Sequence, residues 1–544
     1  MLFRAQLALV EKGYENYQRA DEDAQALLER FPGSQLKAQA LAVRTDIAWE
    51  LRRFRTAADY ASQLREALAA GDTRRQIGVL VADAYFRSGD YRNAADAYSA
   101  AMREPPAAMA SGVLLFQRVL AEINVEQRPG GDTLYKAAQS LLDEAAGTPG
   151  IDIVHRWQAE WNLARALQAR GQTIAALKRV ERLTGEPAAA TMPADLYVRM
   201  AWLQARLAFE AGSPAETVRL VDALLARLQT PALATLAGSL KDDVTSTSSL
   251  LKAQALLAFD EPRPGAAREG LELLKKLRED HPKSDSAAYS YIVEADYYAA
   301  RDAIVEARRL LTKLADDDKT KTNPYAPFAL YEAALNAEKQ AHYDAAVLLI
   351  ERLVQEYPRS ELVFYARLKQ GDLQRQLNLF GDAQRAYEWL LNNFAGHQDA
   401  VRAEFGLAAC HYAQAAIDPS HWEAAEARYE RLLDRPAVPA DMRVEAGYML
   451  GHMLAQRGHA ARAQEVWWPV VNMFLLDANR VSELGANGPY WMSRILLELG
   501  ELWEKEAKLD QARQTYEMIL QQKLPGESLA RQRLARFNPG GSRP

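Results

Sequence analysis

Residues 82–106 read ADAYFRSGDYRNAADAYSAAMREPP, and the fold follows from their spacing. Ala82 and Tyr85 share one helix face, Gly89 interrupts the pattern, and Tyr91, Ala94, Tyr98 and Ala101 follow at intervals of three and four before Pro106. Residues three or four apart lie on the same side of a helix. Gly supplies the backbone freedom that ends one helix, and Pro cannot continue the next. The stretch therefore encodes two amphipathic helices joined by a short turn. Their shared apolar face is too small to be stable alone, so neighbouring units must stack to bury it.

The same order returns every 37 to 49 residues in much of the chain. Leu7, Ala8, Tyr17, Ala20, Ala24, Leu27 and Pro32 form the first unit; Leu163, Ala164, Gly171 and Ala176, then Ala205, Gly212 and Leu224, form later ones. From Ala307 through Ala346, Ala383, Ala425 and Ala463 to Ala512 the small residue marks successive second helices, and roughly thirteen units fit the chain. Gly451 and Gly500 each follow a Leu, at places where two helix backbones are expected to touch. Over nearly the whole chain these residues resemble the tetratricopeptide repeat (TPR) family. The resemblance implies an all-α, right-handed superhelical solenoid of about 12–13 helix-turn-helix repeats whose first helices line an inner, concave groove for protein or peptide segments. The closures Phe31-Pro32-Gly33-Ser34 and Tyr357-Pro358-Arg359-Ser360 look like those of bacterial envelope TPR proteins, including outer-membrane assembly lipoproteins and the Tol-Pal-associated coordinator. This chain is longer than those relatives and has no lipoprotein Cys near its start.

The register divides the chain into an N-terminal array at 1–229, a Ser/Thr-rich insertion or hinge at 230–249, a C-terminal array at 250–537 and a disordered tail at 538–544. The hinge reading rests on Thr245-Ser246-Thr247-Ser248-Ser249, residue types that supply turns and helix caps. Pro129-Gly130-Gly131 is expected to be a loop. Met1 begins in repeat register with no polar capping turn before it, so the natural protein is expected to start earlier, with any targeting signal there.

A net charge of −6 and the lack of any basic run exclude a general nucleic-acid electrostatic footprint. The single cysteine, Cys410, excludes an intrachain disulfide and a four-thiolate metal site; its apolar neighbours mark it as a buried small hydrophobe. The first twelve residues lack the apolar run and cleavage site of a signal peptide. The longest apolar stretch, Val466 to Leu476, is too short to span a bilayer. The eight histidines lack the i, i+4 spacing of helical metal ligands. Asp316-Asp317-Asp318 lacks the Gly and distal Glu of a calcium loop and reads as a solvated connection. Phosphate-loop, nucleophile-elbow and metalloprotease patterns are missing, so no enzyme activity, metal or cofactor is expected. Nor do the first helices carry the Lys and Asn arrangement of the TPR clamp for chaperone tails.

One doublet stands out as a binding candidate. Trp161 and Arg165, and again Trp202 and Arg206, are four apart at equivalent places in two consecutive first helices. On an inner face they would align two indoles and two guanidiniums, a combination suited to an acidic and apolar segment. A weaker set is Asp46, Trp49, Asp83, Phe86 and Arg87. The expected function is a non-enzymatic scaffold for protein or peptide segments in a bacterial assembly, periplasmic or envelope-associated, with a cytoplasmic location as the alternative. Two rival readings remain: the TPR region of a longer regulatory or sensory protein, and an accessory protein that recognises carbohydrate or peptidoglycan.

Overall fold

The computed structural model describes residues 1–128, 130–132, 134–146, 148, 151–259, 265–316, 324–477, 480 and 483–537. Contacts divide the chain into two compact units, Met1–Ser290 and the remainder from Tyr291. The first unit contains the successive helices α1 (Leu2–Glu11), α2 (Tyr14–Arg30), α3 (Lys37–Glu50), α4 (Phe54–Ala67), α5 (Asp72–Arg87), α6 (Tyr91–Arg103), α7 (Ser111–Glu126), α8 (Lys136–Ala145), α9 (Ile153–Ala169), α10 (Thr173–Thr184), α11 (Ala194–Glu210), α12 (Pro214–Leu228), α13 (Gly238–Leu257) and α14 (Ala266–Asp280). After α15 (Asp285–Ala299) the second unit contains α16 (Ile304–Asp316), α17 (Ala326–Lys339), α18 (Tyr343–Glu356), α19 (Val363–Gln376), α20 (Phe380–Asn393), α21 (Ala400–Gln414), α22 (His421–Asp434), α23 (Ala440–Gln456), α24 (Ala460–Val471), α25 (Gly488–Lys505), α26 (Leu509–Gln521) and α27 (Glu527–Phe537). Odd-numbered helices up to α25 are the first members of their pairs and even-numbered ones the second. Among the described residues there is no strand, and the fold is an all-α array of successive helix pairs. No helix among them is long and apolar enough to cross a membrane.

Within each unit most helices pack against the next in sequence, and several first helices also touch the first helix two along: α1 with α3, α9 with α11, α11 with α13, α19 with α21 and α23 with α25. In these pairs the first helices approach one another more closely than any two second helices do. The turn within a pair is a recurrent helix stop. Gly89 has φ +79°, with Asp90 N–H donating to Tyr85 O at 3.0 Å and Gly89 N–H to Phe86 O at 3.1 Å. These are the two bonds that close a helix on a left-handed residue. Ala341 and Asn378 take the same conformation without glycine.

The glycines on first helices act differently from the expected backbone contact. A Cβ on Gly451 would lie 2.3 Å from Nε1 of Trp467, and one on Gly500 would lie 2.5 Å from the ring of Tyr516. Tyr387 fills two such niches at once, 2.5 Å from a Cβ on Gly371 and 2.4 Å from one on Gly406. The small residue thus makes room for an aromatic ring from the second helix rather than for a second backbone. Each ring is fully buried. The tyrosines also spend their hydroxyls locally: Tyr98 donates to Asp83, Tyr387 to Asp372 at 2.6 Å and Tyr516 to Glu504 at 2.6 Å.

The stretch 230–249 holds a short 3₁₀ turn, Pro231–Leu233, and the first half of α13. The turn and cap chemistry expected of Thr245–Ser249 is not what these residues do, because all five are helical. Thr245 Oγ1 donates to Lys241 O at 2.7 Å and Ser249 Oγ to Thr245 O at 2.8 Å, so the hydroxyls bond back to the preceding turn. Pro129 of the expected loop, the run from Asp317 to Thr322, and the tail 538–544 lie outside the described residues.

Candidate functional site

Three consecutive first helices, α9, α11 and α13, enclose a cavity of about 280 Å³. The core face of α9 is set by Trp157, Leu163, Ala164 and Leu167, all fully buried. Trp161 and Arg165 fall on the adjoining stripe, one helical turn apart, where they are half-buried and exposed respectively. On α11 the buried Leu203 forms part of the cavity lining, with Arg199 and Trp202 beside it. On α13, Leu240, Asp243, Val244 and Thr247 repeat at intervals of three and four and close the third side. The interior is mostly apolar, while Arg165, Arg199 and Asp243 are exposed.

The charges at this cavity are poorly neutralised. Arg165 lies 5.9 Å from the Trp161 ring centroid, and its Nη1 donates to Gln168 Oε1 at 2.8 Å; it has no carboxylate partner among the described residues. Arg199 has no hydrogen bond, ion pair or ring contact among them. With two guanidiniums, one carboxylate and one hydroxyl, the lining offers neither thiolate nor imidazole, a donor set that fits an oxyanion and not a transition metal.

Of the four residues in the expected ladder, the structure brings Trp161, Arg165 and Trp202 to one cavity and leaves Arg206 outside it. Arg206 Nε donates to Glu210 Oε1 at 2.7 Å, and its guanidinium sits 5.9 Å from the Phe209 ring instead of against Trp202. Glu210 Oε2 also accepts from Gln168 at 2.8 Å, so Arg165, Gln168, Glu210 and Arg206 form one polar strip across α9 and α11.

The weaker set is split. Asp46 and Trp49 line a cavity of about 230 Å³ with Leu9, Lys12, Tyr17 and Glu50. Arg87 reaches across from α5 to within 5.0 Å of the Trp49 ring centroid. Phe86 packs edge-on against Tyr91 at 5.2 Å, and Asp83 accepts from Tyr98, so both have internal partners. Burial raises the Asp46 carboxyl, with Glu50 adding to the effect. Burial likewise raises Asp83, against the Tyr98 hydrogen bond and the Arg87 charge.

Sequence spacing missed Arg199 and the whole α13 wall, because those residues meet the indoles only when units stack. It also missed a histidine pair. His411 and His421, ten residues apart, bring their Nδ1 atoms within 2.8 Å across α21 and α22. Burial, then the charges of Arg428 and His421, depress the His411 pKa. Cys410 is fully buried, and that burial pushes its thiol up to about 12.

No family model matches the chain, and no curated protein matches it. Among solved structures it is similar to a chain of the APC/C hetero-tetramer Cut9-Hcn1, at 12% identity and a TM-score of 0.29, over 93% of this chain and 97% of that one. It is also similar to the human IFIT1 dimer with PPP-AAAA, at 16% identity and a TM-score of 0.30, over 70% of this chain and 80% of that one. At these identities and scores, what this protein does has to be read from its own helices and cavities.

Proposed function

We propose that the protein is a non-enzymatic scaffold that binds a protein or peptide segment on the inner face of its first helices, with the α9–α11–α13 cavity as the anchor point. The observation that carries this reading is the pairing of two half-buried indoles with two arginines, Arg165 and Arg199, that have no carboxylate partner among the described residues. Indoles supply large contact area at low entropic cost, and an unneutralised guanidinium gains most from a carboxylate delivered by a partner. The fitting segment has an acidic residue next to an apolar one, the apolar side chain entering the cavity and the carboxylate meeting the rim. The aromatic-Pro-x-Ser closures at Phe31 and Tyr357 support placing this scaffold in a bacterial envelope assembly, in the periplasm.

Peptides selected from a random displayed library against the full chain test the reading. The expected result is enrichment for an acidic residue beside a large apolar one, with a loss of at least tenfold in affinity for Arg165→Glu combined with Arg199→Glu. Selected peptides that bind the double variant as tightly as the native chain would overturn it.

A further inference from the structure

A third cavity, in the other compact unit, is built on different chemistry. It measures about 420 Å³ and lies among the end of α20, the turn that follows, the start of α21, and α22. Arg428, Arg431 and Arg435 line it, spaced i, i+3 and i+7, so that they share one side of α22 and its C-terminal boundary. Arg435 is paired with Glu404, the one carboxylate in the lining. Among the described residues, the Arg431 side chain bonds only to its own helix, Nε to Ala427 O at 3.2 Å. Arg428 is half-buried and has no hydrogen bond or ion pair among the described residues.

Cations in the last turn of a helix are ordinary, because they complement the helix dipole. Arg428 lies a turn further in, where that explanation weakens, and a half-buried guanidinium with no hydrogen-bonded carboxylate among the described residues is costly to keep. Burial, and then the neighbouring Arg431 charge, lower its pKa, against the opposing charges of Glu404 and Glu388. His397 adds a further donor. Its Nδ1 accepts the Asp399 backbone N–H at 3.1 Å, which leaves the ring proton on Nε2, and stacking on Phe364 at 3.7 Å holds the ring in place. Leu391, Val401 and Val438 form an apolar wall.

We propose that this cleft is a binding site for a small phosphate monoester. The three arginines less Glu404 leave a charge of +2, which matches a phosphoryl dianion, and guanidiniums grip planar-faced oxyanions through paired donors. The volume suits a small molecule whose body rests on the apolar wall. The site is independent of the α9–α11–α13 cavity, so either proposal survives the failure of the other.

Titration calorimetry of the full chain with phenyl phosphate, inorganic phosphate and benzoate is the test. Phenyl phosphate is expected to bind at least tenfold more tightly than benzoate, and Arg428→Gln to weaken it by at least tenfold with the helical circular dichroism unchanged. Glu404→Gln should strengthen binding severalfold, since it removes a charge that repels phosphate; a purely structural Glu404–Arg435 pair predicts no gain. Equal binding of phosphate and benzoate, or indifference to both substitutions, would overturn the proposal. Binding to phosphatidic acid vesicles without binding to phenyl phosphate would overturn it too, because the source would then be a membrane surface.

Discussion

Two joints between a first and a second helix show that one architecture is held together in two ways. In the second unit, α23 meets α24 where the Trp467 indole fills the niche over Gly451, and its N–H donates to Tyr448 O at 3.2 Å. In the first unit, α9 meets α10 through a buried ion pair: Arg179 Nε and Nη2 each lie 2.7 Å from an oxygen of Glu160, with both residues less than a tenth exposed. Arg179 reaches on to Asp143 at 3.2 Å, which ties in α8. The first joint depends on shape and the second on charge. Shape tolerates no added atom and is indifferent to salt; charge tolerates shape changes but not the loss of a partner.

The largest effect is expected from Gly451→Leu. The new Cβ alone falls 2.3 Å from Trp467 Nε1, on a rigid and fully buried ring, so the helices must separate. The cost is about 3 kcal/mol, the upper end of what overpacking costs. Coupling in repeat arrays is between neighbours, so hydrogen exchange should quicken around α23–α26 and stay unchanged in residues 1–230. Uniform loosening along the chain would contradict this, and Gly451→Ala should show a smaller form of the same pattern.

A smaller loss is expected from Glu160→Gln. Removing one member of a buried pair typically costs 3–5 kcal/mol, but Asp143 still faces Arg179, so about 2 kcal/mol is expected. Replacing both members by apolar residues, Glu160→Leu with Arg179→Met, should recover most of that loss, as no charge remains stranded. No such rescue is available to the glycine joint. Denaturant melts of the single and double variants check this, and a double variant worse than the single would show that the pair contributes net stability.

The difference between the joints also explains what could be read from the sequence. The positions of Gly451, Trp467, Ala463 and Tyr516 recur in register because steric fit requires particular sizes at particular places, and size is visible residue by residue. The reason given for the glycines was still mistaken: spacing shows that a small residue is needed, not whether a backbone or a ring fills the space. Charge joints leave weaker marks. Glu160 and Arg179 are nineteen apart on different helices, as His411 and His421 are ten apart, and no helical period links them. The indole cavity was half legible for the same reason. Trp161 and Trp202 repeat with the units, whereas the α13 wall comes from a Ser/Thr-rich stretch whose hydroxyls suggested turns and in fact bond back within a helix.

The smallest effect concerns pH and lies in the shape-held unit. Glu445 on α23 is half-buried, and that burial, opposed by Arg375 and reinforced by Asp441, pushes its carboxyl up to about 7. The folded protein therefore holds this proton more tightly than the unfolded chain does. Its contribution to stability is full below the ordinary carboxylate range near pH 4.5 and is lost as pH rises to about 7. His411 runs the other way. Its depressed pKa means that the unfolded chain binds more protons near pH 6, so stability from this group rises with pH. The two trends overlap, and only a difference measurement separates them. Glu445→Gln keeps the shape and removes the titration, so the native chain should gain stability relative to this variant as pH falls from 7 to 5, most of it lost again on returning to 7. Melting curves at half-unit intervals check the slope of that difference. A difference that does not change with pH would mean that Glu445 is solvated enough to ionise normally, and that the second unit is as insensitive to pH there as its glycine joints suggest.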